Sequence, residues 1–368
     1  MRRRLAWASS FLLCSSTVAC GTGTPGGGPP GWSDAVRQST LLAWEEGRRD
    51  GPKEIFASGE PLVFTLEADF DQLRRDREEE SEERPGRMIL MGSGGEVSFP
   101  IKLRTRGNFR LQAHICPFPP LRLKFPVDSV GGTALEGQDK LKLVTHCRDW
   151  DSYEQNVLEE YLAYRIYDLL TDISFRVQLA LITYRDTSGK QDPISRVGFL
   201  IEDEDHLADR LGGEMLEVPA ANPDDFAPEQ AGLMYLFQFM IGNTDWSLVR
   251  FHNVKLIRIG WNYFPIPYDF DFSGFVDAPY AGPNPALAQR ISSVRERLFW
   301  GICSDRIDYP SLFSRFNDLH PRILELIRSQ PGLREDNARV ARDYIEGFYR
   351  IINDERSADR MILGACRR

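Results

Sequence analysis

The chain has 368 residues, 42% hydrophobic and 27% charged, with 54 acidic against 45 basic side chains and a formal charge of -9 at pH 7. That length leaves room for one large domain or two lobes sharing a cleft, and the acidic balance argues against a nucleic-acid-binding surface. Much of the excess acid sits in REEESEER (77–84) and IEDEDHLAD (201–209), stretches that read as solvated faces.

In chain order, MRRRLAWASSFLLCSSTVAC reads as an export signal: three arginines, a short apolar run, then small residues ahead of Cys20. The apolar run is too short to span a membrane. Val18-Ala19-Cys20-Gly21 resembles a bacterial lipobox, although Thr17 stands where that pattern prefers Leu. Cys20 is thus expected to carry a lipid that anchors the chain to the cell envelope, and plain signal cleavage is the alternative. Residues 21–31 are Gly/Pro-rich and read as a tether, followed by an N-terminal extension over 32–60. Cys14 falls within the signal. Cys116, Cys147, Cys303 and Cys366 remain, an even number in an exported chain without a C-x-x-C spacing, which favours disulfides over metal ligation. The expected pairs are Cys116 with Cys147 and Cys303 with Cys366; the first closes a loop of about 30 residues, worth on the order of 3 kcal/mol.

Alternating apolar and polar residues bounded by turns predict strands over 61–70, 97–105, 120–126 and 139–145. An amphipathic helix is expected over 153–173, then strands over 175–186 and 196–203 and a short polar helix over 204–212. Beyond a Pro-rich loop, EQAGLMYLFQFMIG (229–242) is apolar nearly all round and reads as a buried helix. Three further helices with polar faces are expected over 285–300, 310–328 and 335–354. The order predicts an α+β chain with a β-rich N-lobe (61–203) and a mainly helical C-lobe (204–368). No internal repeat is apparent.

The segment 242–274, GNTDWSLVRFHNVKLIRIGWNYFPIPYDFDFSG, concentrates polar and acidic residues between strand-like runs. Buried carboxylates need cationic compensation, so the cluster implies a metal site or a salt-bridged core. Phosphoryl transfer from ATP asks a protein for a cation at the phosphates, oxygen ligands for Mg²⁺ and a carboxylate for the acceptor hydroxyl. These groups follow in the order expected of a two-lobed protein-kinase-like fold: Asp245 as catalytic base, Asn253 as a metal ligand, Asp269 or Asp271 as the principal metal ligand.

LRTRGNFR (103–110), PPLRLKF (119–125), KLKLVTHC (140–147), VGFLIEDED (197–205), IGNTDWS with HN (241–253) and PYDFDFSG (267–274) together resemble the spore-coat protein H family, the CotH-like atypical kinases. The resemblance covers roughly residues 97–275. It implies transfer of the ATP γ-phosphate to Ser or Thr of an exported protein, with Mg²⁺ or Mn²⁺. It also implies Lys124, with Lys142 as rival, as the phosphate-binding lysine; Glu159 or Glu160 as its partner; Glu202 at the adenine pocket; and Arg106 and Asn108, beside Gly107, over the phosphates. The chain departs from ordinary protein kinases in lacking G-x-G-x-x-G and H-R-D, and in a longer Asp-to-Asn spacing.

Competing expectations are a pseudokinase that keeps the fold without turnover, and a structural or adhesive lipoprotein whose carboxylates bind Ca²⁺. A glycosidase using Asp245 with Asp269 or Asp271 is disfavoured by the lobe order and by the lack of clustered aromatics. With five histidines and no H-x-x-x-H or H-x-H spacing, a zinc site is not expected, and His252 reads as a core or turn residue. Arg104, Arg106 and Arg110 are balanced between a solvated strand face and a phosphate site.

Overall fold

In the computed structural model, residues 55–56, 59–92, 95–218, 222–287 and 289–367 are described. The export signal, the lipid on Cys20, the tether and nearly all of the 32–60 extension lie outside them.

Seven strands form a closed barrel: β1 (Leu62–Ala68), β2 (Arg84–Gly92), β3 (Gly95–Thr105), β4 (Leu121–Lys124), β5 (Lys140–Val144), β6 (Val177–Asp186) and β7 (Ile194–Ile201), in the order β1-β2-β3-β4-β5-β7-β6. All neighbours are antiparallel except β1 with β6, whose parallel pairing closes the ring. Alternation does the work: Ile101, Leu103, Leu121, Leu123, Leu141 and Leu143 point into the barrel core while the basic residues between them point out. Strand β2 is absent from the expected set, because Pro85, Gly86 and two methionines break its β signature. Gly86 is required there, since a Cβ would lie 2.2 Å from Leu103 Cδ1 and 2.9 Å from the Glu67 carbonyl oxygen.

A short helix α1 (Phe70–Arg75), not expected from sequence, follows β1 and is capped by Asp69. Helix α2 (Asp151–Leu170) follows β5 and packs on β6 and β7. It is buried almost all round rather than amphipathic, because the barrel covers one side and the C-terminal helices another. After β7 come α3 (Glu204–Leu211), β8 (Glu214–Leu216) and the buried α4 (Pro228–Met240). The hairpin β9 (Val254–Ile259) and β10 (Asn262–Pro267), formed by the strand-like runs of 242–274, joins β8 in a three-stranded sheet. Helices α5 (Tyr309–Arg328), α6 (Glu335–Ile352) and the short α7 (Glu355–Ala358) close the fold. The architecture is thus mixed α and β, a β-rich region followed by a mainly helical one.

The helix expected over 285–300 does not form among the described residues there, beyond a 3-10 turn at Pro285–Leu287. The segment instead spends its arginines on loop carbonyls. Arg295 Nη1 donates to Gly274 O at 2.9 Å, and Arg297 Nε donates to Met240 O at 3.2 Å, closing the end of α4.

Cys116 pairs with Cys147 and Cys303 with Cys366, as expected. Both are compatible with an extracytoplasmic location. Among the described residues no helix is long and apolar enough to cross a membrane.

His146 is 2% exposed, its ring 4.6 Å from that of Phe118 and 5.5 Å from that of Tyr184. Burial first, then the nearby Arg196 and Arg74, push its pKa from 6.5 down to about 3. The folded state therefore holds fewer protons than the unfolded state between those values, and stability is lost as pH falls through that window. Each unit below about pH 6 is expected to cost on the order of 1.4 kcal/mol from this residue alone. Urea denaturation at pH 7 and pH 4.5 should show that His146→Phe loses less stability on acidification than the native chain; parallel losses in both would remove His146 as the cause.

Candidate active site

A cavity of ≈ 550 Å³ opens between the barrel and the helical part, and its lining joins two distant pieces of sequence. From one side come Arg106, Gly107, Asn108, Phe109 and Arg110, which follow β3; from the other come Asp245, His252, Asn253, Asp269 and Asp271.

The Asp245 loop is built by α4 and its cap. Gly242 adopts φ 64°, and a Cβ there would meet Tyr344 Oη at 2.0 Å, so the chain leaves the helix through the one residue that fits. Asn243 then accepts from the Asp245 amide at 2.9 Å through Oδ1, an Asx turn that sets the loop, and the Trp246 indole donates to Asn243 O at 3.1 Å. Trp246 is a packing residue, 2% exposed and stacked on Tyr235.

Asn253 sits at φ 52°, a left-handed conformation that asparagine tolerates. Its Nδ2 donates to Asp245 O at 2.7 Å and to Asp245 Oδ2 at 3.2 Å. His252 Nε2 lies 3.2 Å from the other carboxylate oxygen of Asp245, and this bond, acting against partial burial, raises the imidazole above its ordinary value. His252 is thus a turn residue, as expected, whose ring is at the cavity and engages Asp245. Spacing could not reveal it, because the contact is made across the bend that brings 245 and 252 together.

The hairpin β9–β10 returns the chain to the same place. The Tyr268 amide donates to Asn253 O at 3.1 Å, which seats the following Asp269 beside Asn253. Asp269 has φ 61°, and its amide donates to Tyr164 Oη of α2 at 2.8 Å. Phe270 is fully buried against Tyr164 and Phe237, while Phe272 packs on Phe109 and Tyr280, so alternate residues anchor the loop and free the aspartates.

Asp271 is 4% exposed. Burial first, then Asp269, push its carboxyl well above the usual carboxylate range, against the opposing pull of Arg110 and the Tyr280 hydroxyl, which donates to Oδ2 at 2.9 Å. Arg110, 7% exposed, bridges two carboxylates: its Nε is 3.4 Å from Asp271 Oδ2 and its Nη1 is 3.6 Å from Glu160 Oε2. Glu160 on α2 is also held high by burial and is partly offset by Arg110. Arg110 is thus the buried cation of the site rather than part of a solvated strand face. The signal for it was present in Phe109-Arg110-Leu111, a single charge between two apolar residues immediately after the R-G-N element.

The remaining sequence candidates fall outside the cavity lining. Lys124 stands on the outer barrel face with a side chain 59% exposed, 3.5 Å from Glu83. Lys142 is nearer: its ammonium is 2.7 Å from Glu204 Oε1 and 5.8 Å above the ring of Tyr268, the neighbour of Asp269. Glu159 turns away from the cavity, and its carboxylate accepts from Asn337 of α6 at 3.0 Å and from Asn156 at 3.2 Å. Of the adjacent pair, Glu160 faces the site, because neighbouring positions on a helix point about 100° apart. Glu202 is held by Arg210 through two hydrogen bonds of 2.8 Å and accepts from the Arg176 amide, so it ties the end of β7 to α3.

The donors at the cavity suit a hard divalent cation. Asp269 and Asp271 repel one another, Asn253 offers an amide oxygen, and all are oxygen ligands. Among the described residues no three His, Cys, Asp or Glu side chains are gathered as a ready-made metal cage.

No family model matches the chain, and no curated protein matches it. Among solved structures it has a distant likeness to the crystal structure of a Helicobacter pylori proinflammatory kinase, CtkA, at 11% identity and a TM-score of 0.36, over 67% of this chain and 92% of that one.

Proposed function

We propose that the chain is an exported, CotH-like atypical protein kinase that transfers the γ-phosphate of ATP to a Ser or Thr hydroxyl of an extracytoplasmic protein. In this reading the β-rich region is the N-lobe of a two-lobed kinase-like fold and the helical part its C-lobe. The observation that carries it is the convergence of Asp245, Asn253, Asp269 and Asp271 with Arg106 and Arg110 around one cavity. A carboxylate base, oxygen ligands and fixed cations within one cleft are the groups that phosphoryl transfer requires.

Each residue then has a role derived from its setting. Asp245, oriented by Asn253 and His252, accepts the proton of the acceptor hydroxyl as the oxygen attacks phosphorus and the bond to the β–γ bridging oxygen breaks. Arg106 stands at the mouth and binds phosphate oxygens, with the backbone at Gly107 and Asn108 close by. Arg110, fixed by Glu160, holds Asp271 in place and supplies positive charge at the floor. Asp269, Asp271 and Asn253 would hold Mg²⁺, which when bound neutralises charge on the β- and γ-phosphates. Phe109, Phe272 and Tyr280 pack on one another and form an aromatic wall of the cleft.

The deciding experiment is transfer from γ-labelled ATP by the purified chain with Mg²⁺ or Mn²⁺, alone and with protein acceptors, beside Asp271→Ala. Label incorporated by the native chain and absent in the variant supports the kinase. No label, but a melting temperature raised by ATP with metal, transfers the assignment to a pseudokinase. Neither signal, with stabilisation by Ca²⁺ alone, leaves the structural lipoprotein.

A further inference from the structure

The outer face of the barrel carries an arrangement that the cleft does not explain. Antiparallel register sets Lys102 of β3 opposite Lys124 of β4, and Lys124 opposite Lys140 of β5. Two residues along, Arg104, Arg122 and Lys142 make a second rank. Like charges directly opposite across a sheet destabilise it, and the whole chain is acidic at -9, so composition does not produce this patch. A cavity of ≈ 230 Å³ lies over it, lined by five of these cations and Glu83.

What covers the face now is a peptide of this same chain. The acidic stretch 78–83, between α1 and β2, places the Glu83 carboxylate 3.2 Å from Lys102 and 3.5 Å from Lys124, and Glu80 3.1 Å from Arg104. Arg104 also donates to Glu79 O at 2.8 Å. At the other edge Lys140 is matched by Asp203 and Asp205. Glu80 is 85% exposed and Glu83 35%, and ion pairs this wet are weak and readily exchanged.

We propose that this face docks an acidic segment of the phosphate-accepting protein, and that the 78–83 stretch occupies it in the absence of that partner. The cis occupant shows which chemistry fits: carboxylates presented by a loop of the chain. Cations spaced about 6.8 Å along a strand match alternate side chains of an extended peptide. Arg106 continues the line of Arg104 beyond the end of β3 and reaches the cleft, so a segment held on the face delivers neighbouring hydroxyls toward Asp245. The inference rests on the kinase reading only in calling the docked segment an acceptor.

The test is fluorescence anisotropy of a labelled peptide rich in Glu with one Ser, titrated with the full chain without nucleotide. Saturable binding is expected, weakened at least about ten-fold by Lys102→Glu with Lys124→Glu, and weakening with added salt. Glu80→Gln with Glu83→Gln should tighten it several-fold by clearing the face. Lys102→Gln with Lys124→Gln, gentler on folding and checked by circular dichroism, should fall between native and reversed charge. Absence of binding to both native and Glu-to-Gln chains overturns the proposal, as does binding indifferent to the lysine changes. Full displacement by ATP with Mg²⁺ overturns it too, by assigning the face to the nucleotide. Because the readout needs no turnover, failure here leaves the transfer assay standing, and a failed transfer assay leaves this one interpretable.

Discussion

Replacing Asp245 with asparagine is expected to lower phosphate transfer by about two to four orders of magnitude, the range over which a positioned general base contributes. Asparagine keeps the shape and one of the two oxygens, with an amide nitrogen in place of the other, yet cannot take a proton at neutral pH. Thermal stability should change little, because the carboxylate is partly exposed at the cavity and anchors no core group. Initial rates at saturating ATP, with melting curves alongside, make the comparison. If Asp245→Asn transfers phosphate at a rate near the native one, Asp245 only orients the loop, and the base must be sought elsewhere among the cavity carboxylates.

The second large effect concerns Arg110. Its guanidinium is the buried counter-charge to Glu160 and Asp271, and removing one partner of such a network typically costs about 3–5 kcal/mol because the others stay buried uncompensated. Arg110→Ala is therefore expected to be strongly destabilised in urea denaturation at pH 8. The sign of its pH dependence follows from the carboxyls. Both already sit above their ordinary values, and losing the cation raises them further, so the folded variant binds more protons than its unfolded state. Stability is then present at low pH and lost as pH rises, and the gap to the native chain should narrow on going from pH 8 to pH 5.5. Arg110→Lys keeps the charge but not the planar fork that reaches both acids, so it should recover part of the stability while remaining slower in transfer. A native-like Arg110→Ala at pH 8 would mean that the two acids share protons between themselves and need no cation.

Much of the fold could be read from sequence wherever one local period dominates. Helices α4, α5 and α6 carry long apolar faces and fall within a residue or two of expectation, as do β3, β5, β6 and β7. The disulfide pairs also stand as expected. The failures share a cause. Strand β2 carries Pro, Gly and Met where its pattern should be, and only its neighbours β1 and β3 make it a strand. Residues 285–300 look helical because Arg and Ser are helix-compatible, yet Arg295 and Arg297 gain more by capping the carbonyls of Gly274 and Met240.

The candidate site divides along the same line. Asp245, Asn253, Asp269 and Asp271 could be chosen from sequence because a loop and a hairpin spanning the 27 residues from 245 to 271 bring them together, so the covalent chain itself limits their separation. Arg106 and Asn108 were legible as a basic element with a flexible Gly107. Which of Glu159 and Glu160 faces the site, and whether Arg110 is solvated, were decided only by tertiary structure, and neither Lys124 nor Lys142 lines the cavity. Alternation says that Lys124 and Lys142 share a side of the sheet relative to their own neighbours, but barrel closure and the docking of α2 decide which of those sides meets the cleft. By itself the sequence determined an α+β order, its four acidic and amide groups at 245–271 and its cysteine pairs, because these depend on spacing along one chain. The burial of Arg110 between Glu160 and Asp271 depended on three segments meeting, and desolvation, which turns a surface arginine into the cation of a buried network, exists only once they have met.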